Sequence, residues 1–352
     1  MKKIVIVTGC LGLVGYEACL FFSKKKFKVI GIDNNLRKYF FGKEGSNQFK
    51  LNNLKKKIKY FDFFNYDIRS YKKLEDIYLK YKNKIKCIVH CAAQPSHDWA
   101  AKEPITDFNV NSLSTLNLLE LTRKHSHKSP FIYVSTNKVY GSKPNELPLV
   151  EKKNRYEISS NHKYFRKGID ENMSIDNTLH SLFGVSKLSG DLLAQEYGKY
   201  FNLKTGIFRA GCITGTGHSG TELHGFLNYL VKLCATKGKY KIIGYKGKQV
   251  RDNIHSFDLV NMFWSFYKNP KNGEVFNVGG GHYSNCSVIE AIKYCEKKLN
   301  KKIKIKYVNK ARKGDHVWYI SNLSKFRKFY PNFKYKYNIV KILDELIEYN
   351  IK

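Results

Sequence analysis

The residues best placed to do chemistry lie in Thr178–Leu193, TLHSLFGVSKLSGDLL. Leu182, Val185, Leu188 and Leu192 recur near the helical period and Ser181 is a suitable cap, so the spacing predicts the start of a helix. Lys187 lies four residues after Phe183, which puts both side chains along one helical face. An ammonium at that spacing lowers the pKa of an acidic partner. Phe183, however, has no proton to give or take.

A second chemical feature stands near the amino end. Lys3–Val7 is rich in Ile and Val, as a buried parallel strand should be. It runs into Thr8-Gly9-Cys10-Leu11-Gly12-Leu13-Val14-Gly15, after which Tyr16–Lys25 is helix-compatible. In that spacing Gly9 permits a tight turn, Gly12 lets the backbone approach a pyrophosphate, and Gly15 lets helix and strand pack closely. The turn, with Leu11, Leu13 and Val14, then presents helix N-terminal N–H groups to the phosphates. Lys28–Ile32 is a second strand leading into Asp33-Asn34. A carboxylate there accepts hydrogen bonds from ribose hydroxyls and repels a 2′-phosphate, which favours NAD over NADP; Arg37 weighs mildly the other way.

The elements that must position these groups alternate. Asn34–Lys57 reads as a polar loop with one short helix, Ile58–Phe63 as a strand, and Asp67-Ile68 follow where a side chain can contact the adenine. Tyr71–Tyr81 is an amphipathic helix, and strand Lys86–Cys91 exits through Ala92-Ala93-Gln94, small enough for a flat cofactor or simply for a tight turn. Phe108–His125 is a helix carrying Asn111, which faces the cofactor side or is merely exposed. Phe131–Val134 is a strand ending in Ser135-Thr136-Asn137-Lys138-Val139-Tyr140-Gly141. Strands and helices alternating in this way predict an α/β, Rossmann-like, doubly wound parallel sheet.

The polar stretch from Ser142 to Asn177 is long for a structureless loop and suits an active-site cover. After the lysine helix comes strand Lys204–Arg209. Beyond it the alternation loosens: Glu222–Thr236 helix, Lys241–Tyr245 strand, Lys248–Asp252 polar loop, Ser256–Tyr267 helix, Val275–Val278 strand, Ser287–Leu299 helix, Ile303–Val308 strand, and two final helices. The expected organisation is a nucleotide-binding domain over 1–210 and a smaller α/β substrate-binding region over 211–352, with some elements returning to the sheet.

Bulk composition narrows the function classes. The 352 residues are 42% hydrophobic and carry a formal net charge of +34. The lysines are spread among Asn, Ile, Tyr and Phe, and no basic domain, zinc finger or RNA-binding aromatic motif accompanies them. The charge therefore reads as a solvated surface rather than a nucleic-acid site, although an anionic small-molecule substrate fits its sign. No apolar run is long enough to span a membrane and no signal peptide is evident, so a cytoplasmic protein with no membrane partner is expected. The eight cysteines form no CxxC pair, so reduced thiols are expected and no metal.

Taken together, TGCLGLVG, Asp33, Asp67-Ile68, STNKVYG, Lys187 and KQVRDNIHSFDLV at 248–260 resemble the extended short-chain dehydrogenase/reductases that act on nucleotide sugars. The resemblance covers nearly the whole chain and is nearest to the family's 2-epimerase branch acting on CDP-linked hexoses. The related 4,6-dehydratases carry an Asp-Glu pair where this chain has Asn137 and Lys138. It implies an epimerase for surface polysaccharide synthesis, with NAD oxidising a sugar carbon and returning the hydride to the opposite face.

It further implies that Thr136 hydrogen-bonds the reacting sugar oxygen and that Lys187 holds the nicotinamide ribose. Asn137, Arg251, Arg312 and Asp315 would contact the substrate, a CDP- or other NDP-hexose. The blander alternatives are that Thr136 caps a turn, that Arg251 pairs with Asp252 or Asp258, and that Asp315 is an ordinary surface acid. A homodimer through the Phe108–His125 and Phe183–Phe201 helices is also implied. The family's acid/base tyrosine belongs at 183. Phenylalanine there leaves three explanations: another base (His97, His180 or Lys187), an engineered change, or a non-catalytic NAD-binding member with a regulatory or scaffold role. Cys212, Val317 and Asn322 replace a frequent amide, arginine and aspartate.

Overall fold

The computed structural model describes residues 2–218, 220–222, 225–236, 238–309, 311 and 314–351. Its core is a seven-stranded sheet of Ile4–Thr8 (β1), Lys28–Ile32 (β2), Phe61–Phe64 (β3), Ile85–His90 (β4), Phe131–Thr136 (β5), Thr205–Ala210 (β6) and Glu274–Val278 (β7). The spatial order is β7-β6-β5-β4-β1-β2-β3. Strand β1 pairs in parallel with both β2 and β4, with Val7 opposite Gly31 on one side and Val89 on the other. Every residue of β1 is buried, because helices cover both faces of a parallel sheet and leave no polar side to alternate with. The strand order reverses between β1 and β4, and in open α/β sheets ligands bind beyond the carboxyl ends at that point.

The chain divides into two compact units, neither contiguous in sequence. The first holds residues up to 139 together with Leu182–Arg209 and Leu259–Phe276; the second holds Tyr140–Ser181, Ala210–Asp258 and everything from Asn277 on. The aromatic residues account for the return of 259–276. Phe263 and Phe266 of helix Ser256–Lys268 pack on Phe208 with ring centroids 4.9 and 5.9 Å apart, and Trp264 lies 5.8 Å from Phe22.

Three local expectations are corrected. Asn34–Lys57 forms helical turns over Arg37–Gly45, interrupted at Phe41 and Gly42, and a helix Phe49–Lys57; a few buried anchors, Phe40, Leu51 and Leu54, suffice to dock these otherwise polar turns. The expected Phe108–His125 helix is broken into Pro104–Phe108, a π-helical turn Asn109–Leu113 and Ser114–His125. Lys248–Asp252 is not a loop, since Val250–His255 is a strand. Its polar sequence hides a buried position between neighbours. It pairs in parallel with Cys212–Thr214 and Trp318–Tyr319, and antiparallel with Asn285–Ser287.

The second unit has its own core, where Leu227, Leu230 and Val231 meet Ile242, Ile292, Leu343 and Leu346. Its helix Val288–Leu299 opens with a reciprocal cap between Ser287 and Glu290. The polar stretch after Gly141 contains a hairpin, Leu149–Glu151 with Tyr156–Ile158, and Ile169 bridges Ser321. Among the described residues no helix is long and apolar enough to cross a membrane, and all eight cysteines are free.

Candidate functional site

The glycine turn leaves β1 and feeds helix Leu13–Lys24 (α1) with Gly12 as its N-cap and no side-chain cap. Gly9 sits at φ +65°, and a Cβ there would press on the backbone of Ala92. A Cβ at Gly15 would overlap the Gly9 carbonyl. At Gly12 a Cβ would meet only the Gly9 oxygen, at 3.1 Å. Two of the three glycines are thus required by protein packing, while Gly12 keeps the start of α1 open for a phosphate to approach its N–H groups.

At the end of β2 the Asp33 carboxylate accepts the backbone N–H of Leu11 at 2.9 Å and of Asn35 at 2.7 Å. Burial pushes its pKa up, against those two N–H groups and the nearby Lys50 ammonium. Lys50, which sequence reasoning missed, is 3% exposed and donates to the Leu11 carbonyl at 3.1 Å. Burial, reinforced by Arg37, lowers its pKa to about 7. In so lysine-rich a chain no local signal distinguishes Lys50 from its neighbours. Asp67 is gripped by Arg69 at 2.6 Å and accepts from Asn34 at 3.1 Å. Ile68 is buried beside it.

Beyond β4, the Ala92-Ala93-Gln94 loop is held by Asn111. The Asn111 Oδ1 accepts the Gln94 N–H at 2.9 Å, and its amide donates to the Gln94 carbonyl, Asp107 and Ser186 at 3.0–3.1 Å. Asn111 is 1% exposed, which removes the reading of it as a surface residue. It lies within the π-helical turn, a feature frequent at functional sites. Asp107, four residues earlier on the same face, also accepts from the Gln94 amide at 2.6 Å. The i,i+4 spacing of Asp107 and Asn111 is a signal present in the sequence itself.

Lys187 lies on helix Leu182–Tyr200 and is 4% exposed. Its ammonium donates to the Val134 carbonyl at 2.7 Å and sits 4.3 Å from the centre of the Tyr133 ring. Burial lowers its pKa to about 8, opposed by Asp191, Cys91 and Asp107. One helical turn on, Asp191 is fully buried, paired with Arg209 at 2.9 Å and bonded to Ser135 at 2.6 Å. This pair joins the lysine helix to β5 and β6. Thr136, at the end of β5, accepts the Lys138 N–H at 3.2 Å, so it does shape a turn. Its own hydroxyl lies 3.5 Å from the oxygen of buried Asn137, the weak limit of a hydrogen bond, and so remains available to a ligand. Phe183 is 7% exposed and meets the ring of His97 edge-on, centroids 5.0 Å apart.

In the second unit, Arg251 pairs with Asp315 at 2.7 Å. The pair takes the place of Asp252 and Asp258, the partners of the blander alternative. Asp252 instead accepts the Ser321 N–H at 2.9 Å, and burial raises its pKa to about 6. Asp258 accepts the N–H groups of Lys336 and Tyr337. Asn145, also missed, donates to the Asp315 carbonyl at 2.8 Å. The candidate Arg312 lies outside the described residues. His180 has its Nε2 against the Ile175 carbonyl at 2.8 Å. Among the described residues no group of three His, Cys, Asp or Glu side chains could hold a metal.

An open glycine turn at a helix start, a carboxylate at the end of the next strand and a buried amine beyond β5 match a dinucleotide's pyrophosphate, ribose and second ribose. The donor set fits NAD. Residues 5–279 match the NAD dependent epimerase/dehydratase family. The CDP-paratose 2-epimerase of Salmonella typhi is 29% identical over 330 residues, 92% of each chain. The UDP-glucose 4-epimerase of Bifidobacterium longum, solved with NAD+ and UDP, superposes with a TM-score of 0.78 at 22% identity, covering 99% of this chain and 98% of that one. A tyrosine-to-phenylalanine variant of UDP-glucuronic acid 4-epimerase from Bacillus cereus gives 0.76 at 23% identity, with 99% and 98% coverage.

Proposed function

The chain belongs to the NAD dependent epimerase/dehydratase family, and from that premise we propose that it epimerises a nucleotide-activated hexose, CDP-linked by preference, for surface polysaccharide synthesis. The observation that carries the epimerase reading is the end of β5. Thr136 is followed by Asn137 and Lys138, which supply no pair of acids to dehydrate a sugar. The CDP preference is supported by the similarity to the Salmonella typhi enzyme along almost its full length.

NAD, when bound, supplies a hydride acceptor and returns the hydride after the flat keto sugar has turned over. The protein's own residues do the rest. The turn from Gly9 to Gly15, with Leu11, Leu13 and Val14, holds the pyrophosphate, and Asp33 takes the adenosine ribose. Asn34, Asp67 and Ile68 border the adenine, Ala92 and Ala93 leave room for the cofactor, and Gln94 and Asn111 fix that loop. Lys187 holds the nicotinamide ribose. Thr136 donates its hydroxyl proton to the sugar oxygen, while Asn137, Arg251, Arg312 and Asp315 hold the nucleotide sugar. A homodimer is supported by a groove of about 300 Å³ lined by Ile105, Phe108, Leu182 and Val185, all well exposed on helices Pro104–Phe108 and Leu182–Tyr200.

Phe183 favours a second reading, a member that binds NAD without turnover. One experiment separates them. The purified protein is denatured to release bound NAD, and the native protein is mixed with CDP-, UDP- and dTDP-hexoses. Co-purified NAD with sugar-dependent near-ultraviolet absorbance of the reduced cofactor is the expected result. Bound NAD that no sugar reduces, with no gain in Phe183→Tyr, establishes the silent member instead.

A further inference from the structure

The geometry points to His97 as the catalytic acid/base, exchanging the proton of the reacting sugar hydroxyl in place of the phenol that Phe183 lacks. This assignment rests on the epimerase reading above. Phe183 stands one helical turn before Lys187, and the side chain that meets its ring is an imidazole, with centroids 5.0 Å apart at 65°. A histidine there restores a proton carrier where the aromatic residue alone provides none, and imidazole changes protonation near neutral pH.

The placement of His97 is built rather than incidental. It opens the helix His97–Lys102, capped by Ser96 through the Trp99 N–H. Ser96 in turn donates its N–H to Gln94 Oε1 at 2.5 Å, and Gln94 is bound to Asn111. The network that shapes the cofactor side of β4 therefore also holds the backbone from which the imidazole projects.

Three other proton carriers, His90, Lys187 and His180, hold hydrogen bonds within the protein. His90 is buried with its two nitrogens on Thr8 and Thr115, at 2.7 and 3.1 Å, and burial, with Lys187 nearby, lowers its pKa to about 3. Lys187 gives a hydrogen to Val134. His180 holds the Ile175 carbonyl with Nε2, and its Nδ1 is buried without a partner among the described residues. Burial pushes the Cys91 thiol up, so it stays protonated.

In the forward step the neutral imidazole takes the hydroxyl proton as the O–H bond breaks. The electrons of that bond form the carbonyl, and the hydride leaving the carbon goes to NAD. On return the hydride adds to the opposite face, and the imidazolium gives its proton back to the oxygen.

The test uses the NAD-loaded protein and the panel of CDP-, UDP- and dTDP-hexoses. His97→Ala is expected to keep its NAD and lose sugar-dependent reduction by on the order of 100- to 10,000-fold. Free imidazole, or Phe183→Tyr in the same chain, is expected to restore part of it. An independent readout needs no variant: diethylpyrocarbonate modification of His97, mapped by mass spectrometry, should slow when the reducing sugar nucleotide is present.

Undiminished reduction in His97→Ala overturns the assignment. So does a loss that neither imidazole nor tyrosine at 183 repairs, or modification that the sugar nucleotide leaves unchanged. If the wild-type protein holds NAD that no sugar reduces, the epimerase reading itself fails and the assignment falls with it.

Discussion

The two candidate binding regions are made of different materials. In the first unit the cofactor region relies on backbone shape and on charges compensated inside the protein. Gly9 and Gly15 have no room for a Cβ, Asp33 takes main-chain N–H groups, and Lys187 is anchored on a carbonyl. In the second unit the candidate nucleotide-sugar residues form a side-chain ion pair, Arg251 with Asp315, which are 11% and 25% exposed at their side chains. A backbone cradle tolerates almost no substitution, whereas a partly exposed pair can be exchanged residue by residue. On the roles proposed above, specificity is free to drift in the hexose and nucleotide and not in the dinucleotide.

Four substitutions break or sharpen that contrast, in descending order of effect. Arg209→Met leaves Asp191 as an uncompensated buried charge and should destabilise the protein by about 3–5 kcal/mol, measured by denaturant unfolding. Wild-type stability would show that the lysine helix is held by something else. Gly15→Ala drives a methyl into the Gly9 carbonyl, and about 1–3 kcal/mol of stability should go together with the co-purified NAD. Full NAD occupancy in that variant contradicts the cradle.

Arg251→Met should leave NAD content untouched while weakening nucleotide-sugar binding by about 10- to 100-fold in calorimetry. A loss of NAD as well would erase the distinction between the two regions. Lys50→Met tests the smallest effect. Lys50 titrates near 7 in the folded protein against an ordinary 10.5, so between those values the unfolded chain holds a proton that the folded one does not. Wild-type stability therefore rises with pH through that window relative to the variant, and the burial penalty is complete below it. Thermal midpoints of both proteins at about pH 6.5 and 9.5 check this; a difference independent of pH rules it out.

Much of the first region is legible in the sequence. The glycine spacing, Asp33 and Lys187 are local signals: a turn at positive φ and a helical i,i+4 stripe follow from backbone sterics and periodicity within a few residues. Even there Lys50 and the π-helical turn were hidden, because burial of a lysine and an inserted residue in a helix are imposed by what packs against them. The strand Val250–His255 was hidden for a related reason. Its polar residues read as a loop until their partners, distant in sequence, satisfied them.

By itself the sequence determined an alternating α/β chain with a dinucleotide turn and an amine on a later helix, since those depend on neighbours along the chain. Only the tertiary structure decided that Arg251 meets Asp315 across 64 residues, that Asn111 points inward, and that His97 lies against Phe183. Such pairings are settled by which surfaces the packed sheet and helices bring together, and no periodicity within a segment encodes that.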